Sequence, residues 1–250
     1  MVKIVVPVSG GKDSQACLKL ASQQYPKEDI LGLFCDTQWE HPATYRHVEN
    51  IGNIYGVQIV TITGGSVIDK VLKYSRFPLG GSRFCTDELK IRETKLFLKE
   101  YSKTYKNVHV WYGMRSDESP EREKRYRHLA DESLYFPHEV LKKYPKYLGK
   151  SGVRFKLPIL EWSSKEVFEF LNGEQNPLYS QGFDRVGCFP CLASGDKWKH
   201  KAFEHDDFGK EQYQKVIWME SQTGRSAFGS KSGKKKHEEN KSNGCAICSI

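Results

Sequence analysis

The chain has 250 residues, with 39 basic and 31 acidic side chains, 28% charged and 38% hydrophobic residues. This balance excludes wholesale disorder and a membrane-embedded bundle, and no apolar run approaches the roughly 20 residues that span a bilayer. The apolar stretch in Met1-Val2-Lys3-Ile4-Val5-Val6-Pro7 is too short for a secretory signal, so a cytoplasmic setting is expected, where seven cysteines are thiols or metal ligands rather than a disulfide framework.

Residues 3–8 (KIVVPV) are a short β-branched apolar run and predict a buried strand. A glycine turn follows, then a helix from about 13 to 24 with Ala16, Cys17, Leu20 and Ala21 on one face. Residues 30–35 (ILGLFC) predict a second strand, 43–56 a helix with Val48, Ile51 and Tyr55 at helical spacing, and 57–62 (VQIVTI) a third strand. A loop-rich stretch holding Gly80-Gly81-Ser82 leads to a helix over 86–101 and a fourth strand at 108–112 (VHVWY). Strands alternating with helices imply an α/β fold: a doubly wound, mostly parallel, Rossmann-like sheet with helices on both faces.

Beyond Arg115 the pattern loosens, and residues 116–150 are polar and basic without clear periodicity. Residues 153–157 read as another strand. A helix from Ser163 to Leu171 has Glu166 placed for a capping box, and 198–221 is mostly helical. The expected organisation is an α/β body over 1–160, a helical region over 161–223 carrying one Cys-x-x-Cys pair, and a Gly/Ser/Lys-rich tail over 224–250 ending in a second pair.

The net charge of +8 is concentrated in two places. Residues 141–156 carry Lys142, Lys143, Lys146, Lys150, Arg154 and Lys156 with no acid, and 231–241 carry five lysines against two glutamates. The remainder is close to neutral. Localised positive charge favours polyanions, and Tyr144, Tyr147 and Phe155 within the first patch are placed by sequence to stack on unpaired bases. A solvated loop is the plainer reading of that patch, and a mobile tail that of the other.

The first predicted strand ends in Ser9-Gly10-Gly11-Lys12-Asp13-Ser14, directly before a helix. Two glycines let the backbone approach an anion closely, and the free N–H groups of the helix start suit a phosphate. Lys12 adds a cation, and the Ser9 and Ser14 hydroxyls add donors. This is not the Walker A spacing, because Asp13 follows the lysine.

In this string the sequence resembles the PP-loop ATP pyrophosphatases, or adenine nucleotide α-hydrolase-like (HUP) proteins, whose loop has the form Ser-Gly-Gly-x-Asp-Ser. Further segments resemble the phosphoadenylyl-sulfate reductase branch of that superfamily. They are Asp36-Thr37-Gln38-Trp39-Glu40-His41-Pro42, with Gln38 where the branch has glycine; Arg83-Phe84-Cys85-Thr86 with Leu89-Lys90; and Gly113-Met114-Arg115-Ser116-Asp117-Glu118-Ser119 with Arg122. Pro158-Ile159 with Trp162, Asn176-Pro177-Leu178-Tyr179 with Gly182, and Arg185-Val186-Gly187-Cys188-Phe189-Pro190-Cys191 complete a match over roughly residues 3–192.

The resemblance implies that residues 9–14 hold the phosphates or sulfate of ATP or another adenine nucleotide, with Asp36 and Thr37 beside the adenosine at the carboxyl edge of the sheet. It also implies that Gly113, Arg115, Arg122 and Lys90 complete the nucleotide site, the cations neutralising phosphate charge. For Arg115 the plainer reading is a pair with Asp117 or Glu118. For Asp13 the two readings are a water-mediated Mg²⁺ ligand and a helix cap. Lys12, Asp13, Arg115 and Cys85 are the candidates for the chemistry.

Cys17 and Cys35 read as core thiols. Cys188/Cys191 and Cys245/Cys248 form two Cys-x-x-Cys pairs, together four soft ligands for Zn²⁺ or an iron–sulfur cluster. The resemblance favours a [4Fe–4S] cluster, with three arrangements open: the two pairs together; Cys85, Cys188 and Cys191 with one tail cysteine; or a three-cysteine cluster with an open iron. The eight histidines show no metal spacing; His41 lies in the nucleotide-side segment.

Three functions follow for testing. The first is an ATP-dependent sulfur-transfer enzyme acting on DNA or tRNA, as in the DNA-phosphorothioation ATPases that the sequence resembles, served by a sulfur-donor protein. The second is an assimilatory adenylyl-sulfate or phosphoadenylyl-sulfate reductase with a thioredoxin-like reductant, although the tail Asn243-Gly244-Cys245-Ala246-Ile247-Cys248 lacks the Glu-Cys-Gly-x-His segment of that class. The third is a non-catalytic nucleotide- or nucleic-acid-binding module.

Overall fold

The computed structural model describes residues 1–79 and 82–229. The second basic patch and Cys245 and Cys248 lie outside the described residues. Five strands, β1 (Lys3–Val8), β2 (Ile30–Asp36), β3 (Gln58–Thr63), β4 (Val108–Trp111) and β5 (Val153–Lys156), form one sheet in the order β3-β2-β1-β4-β5. Every pairing is parallel, with Val5 opposite Leu31 on one side and Val110 on the other. The chain is thus a doubly wound α/β fold whose strand order reverses at β1 and β4.

β1 is covered on both faces, so its residues need no apolar–polar alternation. Val5, Leu33, Val108, Val110 and Phe155 point into one core. It is capped by α4 (Arg92–Thr104) and by the short helices α5 (Pro120–Tyr126), α6 (Pro137–Val140) and α7 (Lys146–Lys150). Ile4, Val6, Val8, Phe34 and Trp111 point the other way, against α1 (Lys12–Gln24), α2 (Pro42–Tyr55) and α8 (Ser164–Leu171). Ser163 and Glu166 form the expected capping box on α8. Cys17 and Cys35 are buried thiols, Cys17 in the second core.

Four local readings are corrected. A helix, α3 (Val67–Tyr74), stands where the sequence reads as loop; its capping box uses Ser66 with Asp69 rather than the usual Glu or Gln. The helix read over 86–101 begins with a π turn, Thr86–Ile91, before α4. The stretch 198–221 is two helices, α9 (Asp196–Phe203) and α10 (Asp207–Thr223), broken where Asp206 caps α10 by accepting from the Gly209 N–H. In the first basic patch Tyr144 and Phe155 are 2% and 0% exposed, so neither ring can stack on a base. Tyr144 instead shares a 2.7 Å hydroxyl contact with Tyr112 inside the core.

A third apolar cluster joins Trp39, Val67, Val71 and Leu89 to Leu192, Phe203, Val216 and Met219. It seats the C-terminal helices on the segment that leaves β2, and so brings Cys188 and Cys191 to the carboxyl edge of the sheet.

Candidate active site

The glycine loop sits between the ends of β1 and β4, the crevice where doubly wound sheets bind ligands. Gly10 has φ +76°, and a Cβ there would lie 2.4 Å from Thr44 Cγ2, so the turn requires glycine. Gly113, leaving β4, packs so closely on the start of α1 that a Cβ would meet the Asp13 carbonyl carbon at 2.6 Å. Ser14 holds the loop closed: its Oγ donates to the Gly11 carbonyl (3.0 Å) and accepts from the Ser9 N–H (3.1 Å). The Ser9 and Ser14 hydroxyls, 3.4 Å apart, are therefore engaged within the loop.

Residues far along the chain finish it. The Asn176 side chain donates to the Gly10 carbonyl (3.3 Å), the Lys12 N–H donates to the Tyr179 hydroxyl (3.0 Å), and the Val186 carbonyl lies against Gly11. Tyr179 was visible in the sequence only as part of a matching segment. Its place at the helix start depends on a contact across 167 positions.

Around the loop lies a buried charge network. Lys12 Nζ donates to both Asp13 oxygens (2.8 and 3.0 Å), and Arg115 Nε donates to Asp13 Oδ1 (2.7 Å). Arg115 Nη1 donates to Asp117 (3.0 Å) and to the Trp162 carbonyl (3.2 Å), while Nη2 has no hydrogen-bond partner among the described residues. Both readings of Arg115 meet here: it pairs with Asp117, and it keeps one nitrogen uncommitted. Asp13 does not cap α1; it bridges the two cations. Burial lowers the Lys12 ammonium from its ordinary value, against the opposing pull of Asp13. The fully buried Arg122 pairs with Glu118, and Arg185 approaches the same carboxylate at 3.3 Å.

A second group gathers at the end of β2. Glu40, 3% exposed, accepts from the Thr37 hydroxyl (2.6 Å), the Thr37 and Trp39 N–H groups (3.2 Å each) and the Tyr45 hydroxyl (3.3 Å). Cys188 Sγ lies 3.6 Å from Glu40 and 3.4 Å from the Thr37 hydroxyl, and residues 40 and 188 form an antiparallel bridge. Desolvation pushes the Cys188 thiol well above its ordinary range; the positive charge of Lys90 opposes this, and Glu40 and Cys85 add to it. Lys90 is thus near enough to Cys188 for its charge to be felt there. His41 caps α2 through Nδ1 and meets Asp206 through Nε2 at 2.8 Å.

The residues expected at one site thus fall into two neighbouring groups. Ser9 to Ser14, Gly113, Arg115 and Arg122 form the first. Asp36, Thr37, Cys85, Lys90 and Cys188 stand around the end of β2, with Glu40 as a member that sequence reasoning missed. Its signal, a carboxylate inside the Asp36–Pro42 segment, was present.

Gln38 occupies the position where a glycine was expected, and it adopts φ +55°, held by its N–H donating to Asp36 Oδ1 at 2.7 Å. A left-handed residue with a side chain carries a steric penalty that glycine escapes. Gln38→Gly is expected to stabilise the fold by about 0.5–1 kcal/mol, after the extra chain entropy of glycine is subtracted. A chemical-denaturation midpoint measures this, and an unchanged or lower midpoint would refute the steric account.

Among the described residues no three Cys, His, Asp or Glu side chains converge as metal ligands. Of the four cysteines expected to hold a cluster, Cys188 and Cys191 lie among the described residues and form no disulfide there. The described residues alone therefore do not fit a [4Fe–4S] or zinc centre. For Mg²⁺ the expected ligand, Asp13, stands at the loop, where Lys12 and Arg115 hold its carboxylate.

The reversal of strand order, the closed glycine loop and the cations around it define a doubly wound α/β protein of the nucleotide-binding PP-loop type. A family model for the phosphoadenosine phosphosulfate reductase domain matches residues 3–194. The chain is 32% identical over 193 residues to the uncharacterized protein MJ0066 of Methanocaldococcus jannaschii, covering 76% of this chain and 36% of that protein. It spans 66% and 40% of the lengths of two further relatives. It is 25% identical to a phosphoadenosine 5'-phosphosulfate reductase of Proteus mirabilis, over 74% of this chain and 69% of that one. Among solved structures, a phosphoadenylyl-sulfate reductase from Candida auris in a phosphate complex aligns at TM-score 0.48 and 16% identity, over 76% of this chain and 81% of that one. The chain belongs to the phosphoadenosine phosphosulfate reductase domain family.

Proposed function

We propose that this chain is an adenylylating sulfur-transfer enzyme that binds ATP on the Ser9–Ser14 loop. One observation carries the reading: Lys12 and Arg115 flank the loop, buried and held by Asp13, with Arg115 Nη2 uncommitted. A triphosphate could displace these internal ion pairs and take both cations, while the freed Asp13 would hold the accompanying Mg²⁺ through water, and the ion would supply charge neutralisation at the phosphates. A substrate oxygen attacks the α-phosphorus, and the bond to pyrophosphate breaks. A sulfide-level sulfur from the donor then attacks the adenylylated carbon, the new C–S bond forms, and AMP leaves with the oxygen. The protein's part is positioning and electrostatic stabilisation rather than a protein nucleophile for the first step. Cys85 and Cys188, beside Lys90, are the candidates for handling sulfur. The acceptor is a nucleic acid, and the setting is cytoplasmic, where the thiols stay reduced.

The relatives named as reductases support a second reading, reduction of a sulfonucleotide. Anaerobically purified protein is incubated with ATP, Mg²⁺ and bulk tRNA or DNA as acceptor, and separately with adenylyl-sulfate and thioredoxin. Pyrophosphate release is the expected result. Sulfite release without ATP turnover overturns the proposal in favour of the reductase, and nucleotide binding without turnover favours a binding module. The cluster draws on Cys188 and Cys191 with Cys245 and Cys248, or with Cys85 and one tail cysteine, or on three cysteines with an open iron. Iron and sulfide in equal amounts are the expected result of analysing the anaerobic protein; colourless protein with stoichiometric zinc would rule the cluster out.

A further inference from the structure

Removing Tyr144 and Phe155 from the surface changes where a nucleic acid can lie. A groove of about 380 Å³ runs between α4 and the α6–α7 turn, well away from the glycine loop. One wall is α4, with Arg92 and Lys95 lining the groove and Lys99 continuing the same face by helical spacing. The other wall carries Lys142 and Lys143 and leads to Lys146 and Lys150, one turn apart on α7. Lys99, Lys142, Lys146 and Lys150 are exposed and have no ion-pair partner among the described residues. Leu96 and Tyr147, 47% and 48% exposed, stand between the two rows.

The chemistry of this surface is specific. Cations one helical turn apart are about 5–6 Å from each other, close to the spacing of phosphates along a flexible strand. A ring left half in solvent between rows of cations offers a face to an unpaired base. An acidic protein surface would need no such ring, and a lipid surface would call for a flat face rather than a groove. The groove also leads toward the sulfur candidates. Lys143 pairs with Asp87 in the π turn, two residues from Cys85, and α4 continues that turn without a break.

We infer that the groove between α4 and α7 binds single-stranded nucleic acid, with phosphates on the two lysine rows and a base on Tyr147, and feeds the strand toward the Cys85 end of the helix. This deepens the proposed function and rests on it for the nature of the acceptor. Nucleic-acid binding is read without ATP, and ATP binding to the glycine loop is read without nucleic acid, so the failure of either reading is seen separately.

The test measures binding of a fluorescein-labelled 20-nucleotide oligo-dT to the full chain by anisotropy across a salt series. Lys142→Gln/Lys146→Gln removes two exposed, unpaired charges and leaves every described hydrogen bond in place. We expect roughly tenfold weaker binding, and a salt slope shallower by about 1.4, as two lost single-strand phosphate contacts require. Tyr147→Ala is expected to weaken binding roughly tenfold with the slope unchanged. Wild-type affinity and slope in both variants would overturn the inference and move the binding to residues 231–241. Absence of binding by the wild type, equal affinity for a duplex of the same length, or competition by phosphatidylserine vesicles stronger than by unlabelled oligo-dT would overturn it as well.

Discussion

Arg115→Ala should lower ATP-dependent pyrophosphate release by about 10²–10³-fold, the usual cost of removing one preorganised charge donor from a phosphate or oxyanion site. The reason lies in how its guanidinium is spent. Nε holds Asp13, Nη1 holds Asp117 and the Trp162 carbonyl, and Nη2 remains for a phosphate oxygen. The alanine variant loses the donor and also releases Asp13 to pair with Lys12 alone, which draws the second cation away from the ligand. Arg115→Lys should recover less than a tenth of the lost rate, because an ammonium cannot hold two carboxylates and a phosphate in a fixed fork. Burst measurements with saturating ATP separate lost binding from lost turnover. A variant that keeps its full rate would remove Arg115 from the chemistry and leave it a purely internal ion-pair partner.

The second large effect is on stability. Arg122 is fully buried and pairs with the largely buried Glu118. Arg122→Met keeps the bulk and takes from Glu118 its buried cation; Arg185, which also approaches that carboxylate, is more than half exposed. Breaking a buried pair from one side costs about 3–5 kcal/mol at neutral pH. The loss should depend on pH in a definite direction. Burial raises Glu118 above its ordinary 4.5, while Arg122 opposes the rise, so the folded chain holds that proton to higher pH than the unfolded chain does. A raised carboxyl contributes stability that is fully present below its unfolded value and is lost as pH rises through its folded value. Removing Arg122 takes away the opposing charge and widens that window. The deficit of Arg122→Met relative to the parent chain should therefore shrink as pH falls from 7 toward 5. Urea midpoints at the two pH values test this, and an equal deficit at both would mean that the loss is one of packing rather than of an uncompensated charge.

What the sequence made legible was local. Each of the five strands announced itself by a short apolar run, and the Ser9–Ser14 string marked its own turn, because glycine conformation and helix-start chemistry depend on a few neighbours. What it hid was set by distance. The Asp13–Arg115 pair spans 102 positions and the Glu40–Cys188 contact 148, so no spacing rule reveals them. Tyr144 and Phe155 looked available because their neighbours are lysines, yet the sheet edge and α6–α7 close over both rings. Helix α3 escaped notice because it begins after Gly64-Gly65 and is capped by aspartate in place of glutamate.

The closure of the glycine loop by Asn176, Tyr179 and Val186 has a consequence for how the protein is made. The last supports of the loop are synthesised more than 160 residues after it. The β1-α1-β2 unit has its local contacts from the start, and through most of translation it lacks the tyrosine hydroxyl that fixes the first helical N–H and the amide that holds the Gly10 carbonyl. The final geometry of the loop is thus gained in a late step, when residues 176–188 dock, and it matures only after the sheet that surrounds it.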